Sequence, residues 1–173
     1  MESVKQIIRD VPDFPKEGII FKDITPLLAD SVAFQKTINS LKDRYADKQV
    51  DVVVGVEARG FIFASALAYA LEAGTTMVRK PGKLPYKTYQ ETYSLEYGTD
   101  TIEIHQDAFQ PRERIIVIDD VLATGGTLGA TLKLIRSNFE SVEIVETAFF
   151  IELGFLNGRE KLKGTPIHSL IHY

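Results

Sequence analysis

The stretch IIVIDDVLATGGT, residues 115–127, places two carboxylates, Asp119 and Asp120, after four branched apolar residues; Ala123, Thr124, Gly125, Gly126 and Thr127 then follow. A glycine turn that opens a helix offers backbone N–H groups without intrahelical acceptors, and a ligand can approach them closely. The two threonine hydroxyls are further donors. Such a cradle suits a terminal phosphate monoester. An ordinary strand-to-helix turn with a threonine cap uses the same residues, so Gly-Gly-Thr alone does not choose between them. The acids shift the balance. Adjacent carboxylates repel, and at a strand end they need solvent, hydroxyls or a cation. Successive strand residues face opposite ways, so the two acids have different jobs. A pair of cis hydroxyls beside a phosphate, as on ribose 5-phosphate, satisfies acids and loop together. A solvated acidic turn explains the acids but not the composite. Neither GxxxxGK[ST] nor GxGxxG occurs, which sets aside Walker-type and Rossmann nucleotide sites.

These residues need a scaffold, and the surrounding pattern supplies one. Phe34, Ile38, Leu41 and Tyr45 repeat at helical spacing. DVVVGVEARG (51–60) opens with a β-branched run, the mark of a strand buried on both faces. FIFASALAYALEAG from Phe61 reads as a helix stopped by Gly74, and TTMVRK (75–80) as a short strand. Residues 81–100 are polar, aromatic and turn-rich, long for a connection, and are read as a functional loop. TIEIH (101–105) alternates like a half-exposed strand, and RIIVIDD is a second buried one. Leu128, Leu132, Ile135 and Phe139 share one helical face, and VEIVETAFFIE and IHSLIH complete the strands. Buried strands alternating with helices predict an α/β fold: a mostly parallel twisted sheet flanked by helices. Ligands of such sheets bind beyond the carboxyl ends of the strands, where Glu57-Ala58-Arg59-Gly60 and 119–127 both fall.

Composition limits the alternatives. The 173 residues suit one domain, with 45% apolar and 25% charged residues, enough to fill a core. A net charge of -4 without basic blocks argues against a nucleic-acid-coating protein, yet leaves room for a small phosphorylated ligand. No cysteine is present, so disulfides, thiolate metal sites and thiol nucleophiles are excluded. His105, His168 and His172 lie far apart without HExxH spacing and read as strand or surface residues rather than metal ligands. The start MESVKQIIRDVPDFP lacks a signal-like apolar core, and no apolar run approaches the ~20 residues that span a bilayer. A cytoplasmic protein with no membrane or nucleic-acid partner is expected.

IIVIDDVLATGGT resembles the phosphoribosyl diphosphate (PRPP) signature of type I phosphoribosyltransferases. The resemblance implies that Ala123, Thr124, Gly125, Gly126 and Thr127 hold the 5-phosphate while Asp119 and Asp120 contact the ribose hydroxyls. DFPKEGIIFKDITPLL (13–28), EARGF (57–61), RKPGKLP (79–85) and SLEYG (94–98) are similar to the adenine-specific branch of that family, in the expected order over most of the chain. The implied organisation is an N-terminal arm and small hood over 1–30, then a core over 31–173 with a mobile catalytic loop at about 81–100.

The implied activity is transfer of 5-phosphoribosyl from PRPP to N9 of adenine, giving AMP and diphosphate. By the same resemblance, Ile20 and Lys22 present backbone groups to the adenine edge and Phe21 a stacking face. Glu96 is the acid–base residue near the purine's imidazole edge. Arg59 meets the diphosphate, whose charge suits a forked guanidinium. Arg79, Lys80 and Lys83 are further candidates, with Lys80 read instead as a solvated lysine. Mg²⁺ is expected with PRPP rather than in a protein cage, Asp119 and Asp120 acting on it through water. A homodimer is implied, with Arg79 serving either its own site or its neighbour's. Glu17 stands where the family often has proline, and QPRER before the motif lacks a frequent glycine. A PRPP-sensing regulator without catalysis is the alternative in another class; a receiver or phosphatase built on the two acids leaves Gly125-Gly126-Thr127 unexplained.

Overall fold

The computed structural model describes every residue except 96 and 97. The chain forms two compact units, Met1–Arg44 and Tyr45–Tyr173. In the first, α1 (Glu2–Lys5) precedes the strands β1 (Arg9–Pro12) and β2 (Ile20–Asp23), which pair antiparallel. α2 (Thr25–Ala29) and α3 (Ser31–Tyr45) follow. Asp30 accepts the N–H groups of Val32 at 2.9 Å and Ala33 at 3.0 Å, a side-chain cap for the start of α3. Ile38, Leu41 and Tyr45 are buried, as their spacing predicts.

The second unit is built on a five-stranded parallel sheet in the order β4-β3-β7-β8-β9. Its strands are β3 (Val52–Val56), β4 (Gly74–Val78), β7 (Arg114–Leu122), β8 (Glu143–Glu152) and β9 (Ile167–His172). All five residues of β3 are buried, as are 115–118 of β7, consistent with cover on both faces. Val52, Val54, Val56, Ile115 and Val117 join Leu128, Leu132 and Ile135 of α5 (Gly126–Asn138) in one apolar cluster. The two-residue period turns Val53, Ile116 and Ile118 to the opposite face. α4 (Gly60–Leu71) packs on β3, β4 and β7.

Two expectations from the sequence change in detail. α4 ends at Leu71, where Glu72 takes the left-handed conformation at φ 57°, while Gly74 already begins β4. The stretch 81–100 contains strand β5 (Thr88–Ser94), paired antiparallel with β6 (Thr99–His105). Its polar residues alternate with Tyr89 and Tyr93, which pack on the apolar cluster; polarity hides a strand that buries only its tyrosines.

Candidate active site

β3 and β7 are parallel neighbours, and the chain leaves β3 toward β4 on one side and β7 toward β8 on the other. That reversal is a topological switch point, where open α/β sheets bind ligands beyond the strand ends. Asp119, residues 121–128 and Phe149 line a cavity of about 90 Å³ there. Its volume suits a phosphate-sized group rather than a nucleoside. The structure thus gathers Asp119, Ala123, Thr124, Gly125, Gly126 and Thr127 around one small space.

The floor of the cradle requires glycine twice. Gly125 caps α5 at φ 74°, and a Cβ there would lie 2.3 Å from the Gly158 carbonyl oxygen. A Cβ on Gly158 would lie 2.2 Å from the Ala123 oxygen. The two backbones therefore touch, which side chains forbid. Gly158 opens a 3₁₀ turn (Gly158–Leu162), and the next residue, Arg159, donates to both oxygens of the buried Glu152 at 2.6 Å each. This forked pair anchors the buttress at the end of β8 and holds the Glu152 carboxyl below its ordinary range. Sequence reasoning misses Gly158, Arg159 and Glu152. Asn157-Gly158 signals only a turn, with Asn157 left-handed at φ 53°.

The two acids do diverge. Asp120 is buried and paired with the Arg59 guanidinium, which reaches it from the start of α4. Asp119 turns into the cavity, and its Oδ1 accepts the Asp120 N–H at 2.8 Å. Gly60 makes room: a Cβ there would stand 2.8 Å from the Ile118 oxygen and 3.1 Å from Asp119 Oδ1. Burial first, and the Asp120 carboxylate second, push the Asp119 carboxyl well above its ordinary range. A hydroxyl-bearing ligand would supply further donors to this acid.

Arg79 pairs with Glu57 at 3.3 Å, and its Nη1 donates to the Lys83 carbonyl at 3.3 Å. Its guanidinium lies 5.7 Å from the Phe61 ring centroid, so Arg79 stands beside the 57–61 turn. The Glu57 carboxylate also accepts the Lys80 N–H at 2.7 Å, and Glu103 accepts that of Gly82 at 3.1 Å. Two acids thus fix the 79–83 segment, while Lys83 itself is exposed. Lys80 is ion-paired with Asp100. Tyr93, another residue that sequence reasoning misses, places its hydroxyl 3.2 Å from Asp100 Oδ2 and 3.0 Å from Thr127 Oγ1.

Three further candidates belong to the N-terminal unit, where Ile20, Phe21 and Lys22 are consecutive on β2. Phe21 meets Phe14 edge-on at 5.2 Å, Lys22 Nζ donates to Asp10 at 2.7 Å, and Ile20 is exposed. Glu96 falls outside the described residues. Among the described residues, no group of three or more His, Asp or Glu is arranged to hold a metal ion.

Comparison with known proteins agrees with this geometry. The Phosphoribosyl transferase domain family matches residues 27–163. The adenine phosphoribosyltransferase of Syntrophotalea carbinolica is 56% identical over 173 residues, all of both chains. The crystal structure of adenine phosphoribosyltransferase from Thermoanaerobacter pseudethanolicus superposes with a TM-score of 0.94, 48% identity and 99% coverage of each chain. The Saccharomyces cerevisiae enzyme, complexed with an imino-altritol bisphosphate and adenine, gives 0.91 at 38% identity over 98% of this chain and 97% of its own. The chain belongs to the phosphoribosyl transferase domain family, in its adenine phosphoribosyltransferase branch.

Proposed function

We propose that the protein transfers the 5-phosphoribosyl group of PRPP to N9 of adenine, releasing AMP and diphosphate in purine salvage. The observation that carries this is the convergence of Asp119 and residues 123–127 on one phosphate-sized cavity, in a chain 56% identical to a named enzyme of this activity. The relatives named above are enzymes of this activity, which favours catalysis over a PRPP-sensing regulator.

In the reaction the anomeric C–O bond to diphosphate breaks, the C–N9 bond forms, and the N9 proton is lost. Positive charge builds on the ribose ring as the leaving group departs, as in glycoside hydrolysis. The amides of 124–127 and the Thr124 and Thr127 hydroxyls hold the 5-phosphate, and Asp119 orients the ribose hydroxyls. Asp120 keeps Arg59 at the strand end, where its guanidinium can meet developing diphosphate charge. Arg79 and Lys83 extend that positive wall from the segment that Glu57 and Glu103 brace.

Ile20 and Lys22, two apart on β2, offer N–H and C=O groups along one strand edge, as adenine's amino and ring-nitrogen groups require. Phe21 supplies an aromatic face. Resemblance assigns Glu96 the purine proton, and assigns residues 81–100 the exclusion of water from the ribosyl cation. The carboxylates at the end of β7 fit a hard divalent cation that takes most of its oxygens from substrate and water. Mg²⁺ bound with PRPP would neutralise diphosphate charge, with Asp119 or Asp120 contacting it through water. A cytoplasmic homodimer completes the reading; among the described residues no helix is long and apolar enough to cross a membrane.

The test is release of diphosphate from PRPP with and without adenine, followed by a purine panel. Release only with adenine, together with AMP formation, is expected. Preference for hypoxanthine or guanine would overturn the assignment of Ile20, Phe21 and Lys22. Glu96→Leu should lower turnover far more than PRPP binding.

A further inference from the structure

Tyr93 lies within residues 81–100 but has been given no role of its own, and its hydroxyl touches both Asp100 and Thr127. It lies on β5, its ring packs 3.7 Å from where a Gly126 Cβ would stand, and its oxygen is within hydrogen-bond reach of Thr127 and Asp100. Asp100 is in turn ion-paired with Lys80. One phenol therefore links the first turn of α5, the β5–β6 hairpin and the 79–83 segment.

The count of protons gives this link a direction. A carboxylate only accepts, whereas Tyr93 and Thr127 each carry one donatable proton. Tyr93 donates to Asp100 Oδ2, so its oxygen accepts from Thr127, and the contact fixes the Thr127 side chain beside the cavity that Thr127 lines. A carboxylate oxygen accepts more than one donor, so Lys80 and Tyr93 share Asp100 Oδ2, and that carboxylate fixes the tyrosine. The Lys80–Asp100 contact holds the lysine more basic and the carboxyl more acidic than usual, so both are charged at neutral pH.

We propose that Tyr93 is a positioning residue for phosphate binding, its hydroxyl fixing the Thr127 side chain at the rim of the 5-phosphate cradle while Asp100, paired with Lys80, fixes Tyr93. This deepens the function proposed above and rests on its placement of the 5-phosphate at 123–127.

Calorimetric titration with ribose 5-phosphate, and separately with diphosphate, tests it without requiring turnover. Tyr93→Phe keeps the ring against Gly126 and removes only the hydroxyl. It should weaken ribose 5-phosphate about five- to tenfold, the effect of one lost hydrogen bond, and leave diphosphate affinity unchanged. In the enzyme assay KM for PRPP should rise with little change in kcat. On a Thr127→Val background the same substitution should add nothing, since the hydroxyl that Tyr93 positions is gone. Wild-type ribose 5-phosphate affinity in Tyr93→Phe overturns the proposal, as does a full additional loss on Thr127→Val. If the wild-type protein fails to join adenine to PRPP but Tyr93→Phe still weakens ribose 5-phosphate, the reaction assignment falls and the Tyr93 role stands.

Discussion

The glycine cradle at 119–127 and the described residues of the neighbouring 79–105 region are held by different physics. The cradle is backbone against backbone, with Gly125 and Gly158 in contact and no room for a Cβ on either. The 79–105 region is positioned by carboxylates, with Glu57, Glu103 and Asp100 each receiving partners from residues 79–83 or, for Asp100, from Lys80 and Tyr93. Contact between backbones is steric and insensitive to pH or salt. Ion pairs near solvent are soft, screened and individually weak. A sterically fixed cradle beside segments held by softer contacts is the consequence.

This contrast can be broken most sharply at Gly125. Gly125→Ala must accommodate φ 74° and a Cβ that meets the Gly158 oxygen at 2.3 Å. A displacement of about 1 Å in a substrate-positioning element costs about 100-fold in rate, and that loss in kcat/KM is expected. Destabilisation by about 1–3 kcal/mol should accompany it in denaturant unfolding. Activity near wild type would show that the backbone contact is dispensable.

Asp119→Asn sharpens the comparison at the join of the two regions. The folded-state pKa of Asp119 is raised by burial and by Asp120, above an unfolded value of about 3.9. Between those values the folded state binds more protons, so stability falls as pH rises through the window. Asparagine removes that fall. The variant should melt about 2–4 °C higher at neutral pH, the shift made by ~1 kcal/mol in a domain of this size. It should also bind ribose 5-phosphate about tenfold more weakly, by the loss of a carboxyl partner for the ribose hydroxyls. A variant that melts lower while binding normally would reverse the assignment of Asp119 as a functional cost to stability.

Lys80→Met is the smallest of the three. Its partner Asp100 is 27% exposed and the lysine 41%, so the pair contributes about 0–1 kcal/mol. The difference in melting temperature from wild type should be slight and shrink as ionic strength rises. A large, salt-independent loss would mean that the second region is as rigid as the first.

Much of the sheet is legible in the order of residues. VVVGV and RIIVIDD announce buried parallel strands because β-branched runs have few other uses, and Asp119 with 123–127 announces a shared cavity because the acids and glycines lack a common structural purpose. β5 is not legible, since Thr88–Ser94 is mostly polar and gains its order from pairing with β6 and from two tyrosines on the core. Gly158 is not legible either. Nothing in NGREKL says that its backbone will lie under Gly125, because residues 125 and 158 meet only after β8 and α5 are in place.

The sequence by itself determined the strand-and-helix alternation, the residues of the cradle and the pair of acids, because local periodicity and side-chain chemistry are written into adjacent positions. Tertiary structure alone decided that Asp120 holds Arg59 while Asp119 faces the cavity, that Glu152 and Arg159 brace Gly158, and that Tyr93 reaches Thr127. Those contacts join residues far apart in the chain, and their energies depend on distance and burial that no stretch of sequence encodes alone.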